Sequence, residues 1–275
     1  MSYDKTVSEH YSHGGLLAAI ETSVRKLGKT IDQVTIEDLA PVDEFHIGGR
    51  QATDHLLDQL KFSAKDHILD VGCGLGGAAR YIANKLNNRV TGIDLTEEYI
   101  EVGKALCTWV GLDDRVQLHQ GSALAMPFED ETFDGAIMLH VGMNIDAKQP
   151  LFTEVYRVLR PGATFAVYDV MQINPGELAY PVPWATDRST SKLATPDQYC
   201  DALTGAGFST AKEQVRRDFA IDFFNRIKSK NDAAKGPAPI GLHLLMQEST
   251  ALKIQNMIEN IAKNLIAPVE MIAQK

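Results

Sequence analysis

His67-Ile-Leu-Asp-Val-Gly-Cys-Gly-Leu-Gly-Gly77 reads as a buried β-strand that runs into a glycine-rich turn. Ile68, Leu69 and Val71 supply the strand, and Ala78 to Leu86 the helix that follows. Glycines at 72, 74 and 76 allow a sharp reversal and let a ligand come closer than a Cβ would permit. The N-terminus of the helix behind them presents unpaired N–H groups to whatever polar group lies there. A strand, a glycine turn and a helix in that order build the crevice in which open α/β sheets hold nucleotide-like cofactors.

Gly72-x-Gly74-x-x-Gly77 satisfies the dinucleotide fingerprint, and Asp94 lies where a ribose-binding acid should, about 20 residues on. On these residues alone, NAD and S-adenosylmethionine fit equally. A tight turn that holds no ligand is the bland reading, and four glycines in six positions weigh against it.

A chain of 275 residues allows one large domain with additions. Apolar content of 44% and charged content of 23% are those of a globular protein with a substantial core. With 27 basic against 36 acidic residues, the net charge of −9 argues against a nucleic-acid partner. Cys73, Cys107 and Cys200 are odd in number and widely spaced, as suits free thiols in a reducing compartment. The N-terminal stretch lacks a signal-peptide core and no apolar run reaches membrane length, so a cytoplasmic protein is expected. His119 and His243 share no ligand spacing with acids or cysteines, and no metal is expected.

From residue 67 onward short apolar runs alternate with amphipathic segments, the pattern of βαβ units around a parallel sheet. Strands are expected at 67–72, 89–94, 116–121, 134–140, 163–170 and near 208–216. Helices are expected at 76–86, 96–109, 148–160, 196–206, 219–229 and 242–265. Arg160-Pro161-Gly162 should stop the third of these. Pro268 to Ala273 reads as a last strand at the sheet edge, with Pro268 at its start, where a missing donor is tolerated. Residues 217–266 then become a helical insertion between neighbouring strands. The first 66 residues read as one amphipathic helix over 7–27, a Pro-containing loop around 40–49, and a helix from Arg50 to Leu60.

Three features separate the two cofactors. Asp70 stands two residues before the first glycine, where the dinucleotide fingerprint has an apolar residue. Gly121 to Phe128 places a polar loop after the third strand, with Phe133 to Met138 following. Leu159-Arg-Pro-Gly-Ala-Thr-Phe165 then leads into the fifth. With these residues the chain resembles the class I S-adenosylmethionine-dependent methyltransferases of small molecules, over about residues 67–171. More loosely, its helical additions look like those of the sarcosine/dimethylglycine and tocopherol methyltransferases. The resemblance implies an α/β fold, Rossmann-like and doubly wound, with a mostly parallel seven-stranded sheet. It implies a helical lid over 1–66 and a methyltransferase domain over 67–275.

It also implies roles. Gly72, Gly74 and Gly76 would line the methionine part of S-adenosylmethionine, with Asp70 ordering the loop. Asp94 would accept both ribose hydroxyls, Leu95 would pack on the adenine face, and Ser122 and Ala123 would flank its edge. The family often has an acid where Ser122 stands. Leu139 and His140 would face the amino-acid end and the reacting methyl. Each has a plainer counterpart: Leu95 suits the core, Ser122 a turn, and Cys73 a small buried thiol.

A sulfonium is already electrophilic, so methyl transfer needs positioning, exclusion of water, and a base where the nucleophile carries a proton. His140, at the carboxyl end of a strand, and His46, in Phe45-His-Ile-Gly-Gly-Arg50, are the candidate catalytic groups. Arg50 suits a carboxylate or an exposed helix start. Tyr11 could close over the methyl group, since an aromatic face suits a cation. Trp184, between prolines in the loop after the fifth strand, suits a substrate wall or a plain apolar anchor. Tyr11, His140 and Trp184 are therefore the expected substrate contacts. Amine, hydroxyl and activated-carbon acceptors all stay open, with a slight tilt to an amine from the acidic balance. The helices of 217–266 wall a substrate cavity or form a homodimer contact. The rival functions are an NAD-dependent oxidoreductase and a non-catalytic module that binds the cofactor.

Overall fold

The computed structural model describes residues 3–12, 14–233 and 238–275. Four helices precede the sheet: α1 (Tyr3–Tyr11), α2 (Leu16–Lys26), α3 (Ile36–Asp43) and α4 (Arg50–Leu57). The sheet and its crossovers follow as β1 (His67–Val71), α5 (Gly77–Leu86), β2 (Arg89–Asp94), α6 (Glu97–Trp109), β3 (Val116–Gln120), β4 (Phe133–Leu139), α7 (Lys148–Val158) and β5 (Leu159–Gln172). The chain ends with α8 (Pro196–Gly205), β6 (Ser209–Val215), α9 (Arg217–Ala233), α10 (His243–Met246), α11 (Thr250–Ala262) and β7 (Ile266–Gln274).

The seven strands form one sheet in the order β3-β2-β1-β4-β5-β7-β6. All pairings from β3 to β5 are parallel, whereas β7 runs antiparallel to both its neighbours. The expected doubly wound, mostly parallel sheet is present. Alternation along β1 assigns its two faces. Leu69 and Val71 pack with Phe152, Val155 and Phe165 under α7 and α8. Ile68 packs with Leu56, Ile82 and Val90 under α4 and α5. Asp70 therefore emerges on the α4/α5 side, directly behind the glycine turn.

The helical additions depart from expectation in three places, each for a local reason. The helix over 7–27 breaks at Gly14 and Gly15, both at positive φ (73° and 76°), which separates α1 from α2. The loop around 40–49 is partly helical: Pro41 lies inside α3. Ile36, Leu39 and Val42 form a buried stripe at helical spacing, and this packing outweighs one lost N–H donor. The helix over 242–265 is interrupted at Gln247, at φ 52°.

The last strand is no edge. β7 lies between β5 and β6, and β6 takes the edge. Pro268 is nonetheless tolerated at that place. Its carbonyl accepts the Arg216 N–H (2.8 Å), just past Val215, where β6 leaves the sheet for α9. The missing donor falls where the partner strand has ended. The insertion between neighbouring strands is found as α9 to α11, leading from β6 back to β7.

Candidate active site: two cavities that share a wall

A cavity of about 560 Å³ opens at the carboxyl ends of β1, β2 and β4. Its floor is the glycine turn. Gly72 has φ +71°, and a Cβ there would stand 2.3 Å from the Val141 side chain, so no larger residue fits. At Gly74, also at positive φ, a Cβ would meet nothing within 4 Å. The backbone there faces open space, and its N–H donates to Asp94 Oδ2 (2.9 Å). Asp94 Oδ1 accepts the Thr96 N–H (2.8 Å). Burial raises the Asp94 carboxyl above its ordinary range, against the pull of these N–H donors.

Asp70 is almost fully buried in the same wall, and its Oδ2 has no hydrogen-bond partner within the protein. Its pKa is pushed up to about 7, first by burial and then by the charges of Glu44 and Asp94. Tyr99, from the first turn of α6, adds a buried hydroxyl without a partner. Leu95, Ser122, Ala123 and Leu139 line the cavity, as do Tyr11, His46 and His140. Ser122 Oγ also accepts the Leu124 N–H (3.3 Å), which is the plainer turn role. Gly76 lies behind the lining: it caps α5, and a Cβ there would meet Leu118. Its service is to the packing behind the turn. Cys73 lines the cavity, but burial holds its thiol well above the ordinary value, so it stays protonated.

A second cavity, of about 680 Å³, lies on the far side of Tyr11, Phe45, His46 and His140, which line both. Trp184 stands in this one, away from the first. It is 2% exposed, and its indole N–H donates to Ser191 Oγ (3.0 Å). Phe223 and Phe224 of α9, Met246 of α10, and Ile254 and Met257 of α11 complete the wall. The insertion therefore walls a cavity.

The shared wall is held from both sides. His140 ends β4 at φ 56°, its N–H donated to Tyr168 O (2.8 Å). The residue lines both cavities. Nε2 has no partner, and burial together with neighbouring His46 drives its pKa well below the ordinary value. His46 Nε2 lies 3.0 Å from Gly49 O and 3.0 Å from Thr53 Oγ1. Thr53 in turn donates to Glu44 Oε2 (2.8 Å), and Arg50 Nε donates to Glu44 Oε1. A carbonyl can only accept, so His46 Nε2 carries the ring hydrogen and Nδ1 keeps the lone pair. Burial lowers the His46 pKa, and Glu44 pulls it partly back. Arg50 therefore serves Glu44 and also covers the Tyr81 ring. Tyr11 donates to Asn144 Oδ1 (2.9 Å), tying α1 to the loop after β4.

Glu44, Tyr99 and Asn144 did not stand out in the sequence. The signal for Glu44 was its place two residues before His46. Tyr99 gave only an ordinary helical apolar position. Among the described residues no three His, Cys, Asp or Glu side chains stand together as metal ligands, and no helix is long and apolar enough to cross a membrane.

S-Adenosylmethionine fits the first cavity on its own terms. Asp94 ends β2 with a carboxylate in the wall, as ribose hydroxyls require. The partnerless Asp70 Oδ2 is the acceptor that a cofactor ammonium would satisfy.

Residues 69–167 match the profile of the methyltransferase domain family. Methyltransferase GfsG of Streptomyces halstedii is 29% identical over 171 residues, 62% of this chain and 59% of that protein. The sterol 24-C-methyltransferase of Eremothecium gossypii is 33% identical over 172 residues, 60% of this chain and 46% of that protein. The chain thus spans only about half the length of these relatives. Geranyl diphosphate C-methyltransferase from Streptomyces coelicolor A3(2) superposes with a TM-score of 0.72 at 16% identity, covering 100% of this chain and 98% of that one. The oxidoreductase alternative falls on these matches and on the antiparallel β7 between β5 and β6, which the parallel order of dinucleotide folds lacks. Residues 69–167 thus match a methyltransferase domain, and the sheet that carries them has the Rossmann-like fold of the methyltransferases.

Proposed function

We propose that the protein transfers the methyl group of S-adenosylmethionine to a small molecule by in-line attack across the wall shared by the two cavities. The observation that carries this is the abutment itself. A glycine-floored cavity that holds Asp70 and Asp94 and a second, apolar one meet at Tyr11, Phe45, His46 and His140, where a methyl donor and an acceptor must approach. The cofactor, when bound, supplies an electrophilic methyl. The chain's own residues do the rest.

Gly72 and Gly74 admit the cofactor, Asp94 takes its ribose hydroxyls, and Asp70 takes its ammonium. Leu95 packs on the adenine face, Ser122 and Ala123 flank its edge, and Leu139 faces the amino-acid end of the cofactor. His46 and His140 lie where the transfer occurs, and Tyr11 offers its ring to the sulfonium. Residues 1–66 act as a lid that excludes water during transfer. Glu98 supports this lid by accepting the N–H groups of Gly14 (3.0 Å) and Leu16 (3.2 Å). The helices of 217–266 form the acceptor compartment, and a cytoplasmic location suits the free thiols.

Calorimetric titration with S-adenosylhomocysteine, with NADH as control, tests the cofactor assignment. Micromolar binding of S-adenosylhomocysteine alone is expected. A response to NADH alone would remove the basis for every one of these roles.

A further inference from the structure

The second cavity is large enough for a molecule of drug-like size. Its lining is unusual in its charge. Among the described residues, Glu44 is the one Asp, Glu, Lys or Arg side chain in the wall. That carboxylate is already committed, one oxygen to Arg50 and the other to Thr53. Among the described residues, a phosphate placed here would meet no lysine or arginine, only the rings of His46, His140 and His243, and an ammonium would meet no free carboxylate. Trp184, Phe223 and Phe224 offer a cation only ring faces, which offset a fraction of the cost of stripping its water. What the wall does offer is apolar surface, from Met143, Met246 and Met257 among others, and a few neutral polar atoms.

One of those atoms is placed for chemistry. His46 holds its ring hydrogen on Nε2, between Gly49 O and Thr53 Oγ1, so Nδ1 is the basic atom of a ring that lines both cavities. Glu44 Oε2 lies 3.5 Å from Nε2 on the opposite side of the ring.

We propose that this cavity binds an uncharged, predominantly apolar acceptor through a hydroxyl presented to His46 Nδ1, with Glu44 as the residue that positions His46. The inference rests on the proposed methyl transfer and narrows its acceptor, away from the amine suggested by the acidic balance. The acceptor oxygen forms its bond to the methyl carbon as the carbon–sulfur bond breaks and its electron pair stays on sulfur. The hydroxyl proton passes to His46 Nδ1. One positive charge leaves the sulfonium and one appears on His46, so the site's net charge is unchanged. Glu44 is the counter-charge beside the new imidazolium.

The test begins with the protein loaded with S-adenosylhomocysteine, which separates a failed cofactor assignment from a failed acceptor assignment. Farnesol, 1-naphthol and estradiol are the neutral probes; estradiol sulfate, phosphoethanolamine and sarcosine are the charged ones. Equilibrium dialysis should give micromolar binding to at least one neutral probe, and at least about hundredfold weaker binding to every charged one, estradiol sulfate serving as the matched pair for estradiol. Ile254→Trp, which fills the cavity from α11, should abolish probe binding while S-adenosylhomocysteine binds as before. Tighter binding of any charged probe, or of none of the six, overturns the acceptor class.

With S-adenosylmethionine, the probe that binds should gain its methyl on oxygen; bound probe that is not methylated there overturns the role of His46. Glu44→Gln should then lower kcat by roughly ten- to a hundredfold with little change in KM. It should also move the acid limb of the pH profile downward, because the group that raises the His46 pKa is gone. A merely structural Glu44 would lower stability and leave that limb in place.

Discussion

Removal of the Arg80 side chain should destabilise this fold strongly, and the reason lies in what its guanidinium holds together. It is 0% exposed. It donates to Asp43 Oδ2 (2.6 Å) at the end of α3, to Leu75 O (2.8 Å) in the glycine turn, and to Gly103 O (3.2 Å) in α6. The third N-terminal helix, the glycine turn and the helix behind it meet on one cation. Arg80→Met keeps most of the aliphatic volume and deletes the charge. The buried Asp43 carboxylate then has no counter-ion, a situation that costs about 3–5 kcal/mol. Against a total stability of about 5–15 kcal/mol, that is roughly a fifth or more of the reserve. Pairing Arg80→Met with Asp43→Leu removes the stranded charge as well. A double-mutant cycle should return a coupling of about 2–3 kcal/mol. The assay is urea unfolding followed by circular dichroism and by tryptophan fluorescence. Trp109 and Trp184 pack against different parts of the core, so coincident transitions support two-state treatment. A loss below about 1 kcal/mol for Arg80→Met, with an unchanged slope, would refute the claim that this ion pair anchors α3 to the loop.

Gly72→Ala should cost about 2 kcal/mol or more in the same assay, from positive φ and from a Cβ 2.3 Å from Val141, and Val141→Ala should recover part of it. Asp94→Ala should weaken S-adenosylhomocysteine binding by about 1.5–3 kcal/mol in calorimetry if both ribose hydroxyls rest on it, and unchanged affinity would move the ribose elsewhere. Asp70 is raised to about 7, so in the free protein its carboxyl is protonated below that pH and anionic above it. The cofactor ammonium needs the anion. Affinity should therefore rise about tenfold between about pH 6 and pH 8, with a proton released at the lower pH, and Asp70→Asn should flatten the profile. Trp184→Ala should cost about 3–5 kcal/mol of stability, since the ring is nearly fully buried, without weakening S-adenosylhomocysteine binding, because Trp184 stands outside the first cavity.

The first cavity was legible in the sequence because its parts are consecutive. A strand, a turn and a helix occupy residues 67–86, and the position of Asp94 follows from one further strand. Local rules for glycine and strand ends suffice there. The mostly parallel sheet was legible too, because βαβ units repeat a pattern that can be counted. Pro268 misled for a definite reason. Proline marks a strand position whose N–H lacks a partner, and an edge is the commonest such place. Here the partner strand simply ends beside it, which no feature of residues 266–274 reveals.

The acceptor compartment was illegible for a different reason. Its wall is drawn from α3, the loop before α4, the loop after β5, and α9 to α11. Phe223 and Phe224 show only helical spacing, and helical spacing reports a buried face without reporting whether protein or ligand covers it. The same limit hid Glu44. Its meaning depends on Arg50 and Thr53, one helical turn apart on α4, which take up its two oxygens and leave no free carboxylate among the described residues of the wall. The chemistry of the compartment therefore follows from which charges are already spent, and that is settled only by side chains meeting in space. A single substitution isolates the point. Thr53→Val leaves the shape of α4 nearly intact but removes the donor to Glu44 Oε2, so one carboxylate oxygen is released beside the cavity. Binding of cationic relative to neutral probes should then rise, and an unchanged ratio would mean that the commitment of Glu44 does not govern what the cavity accepts.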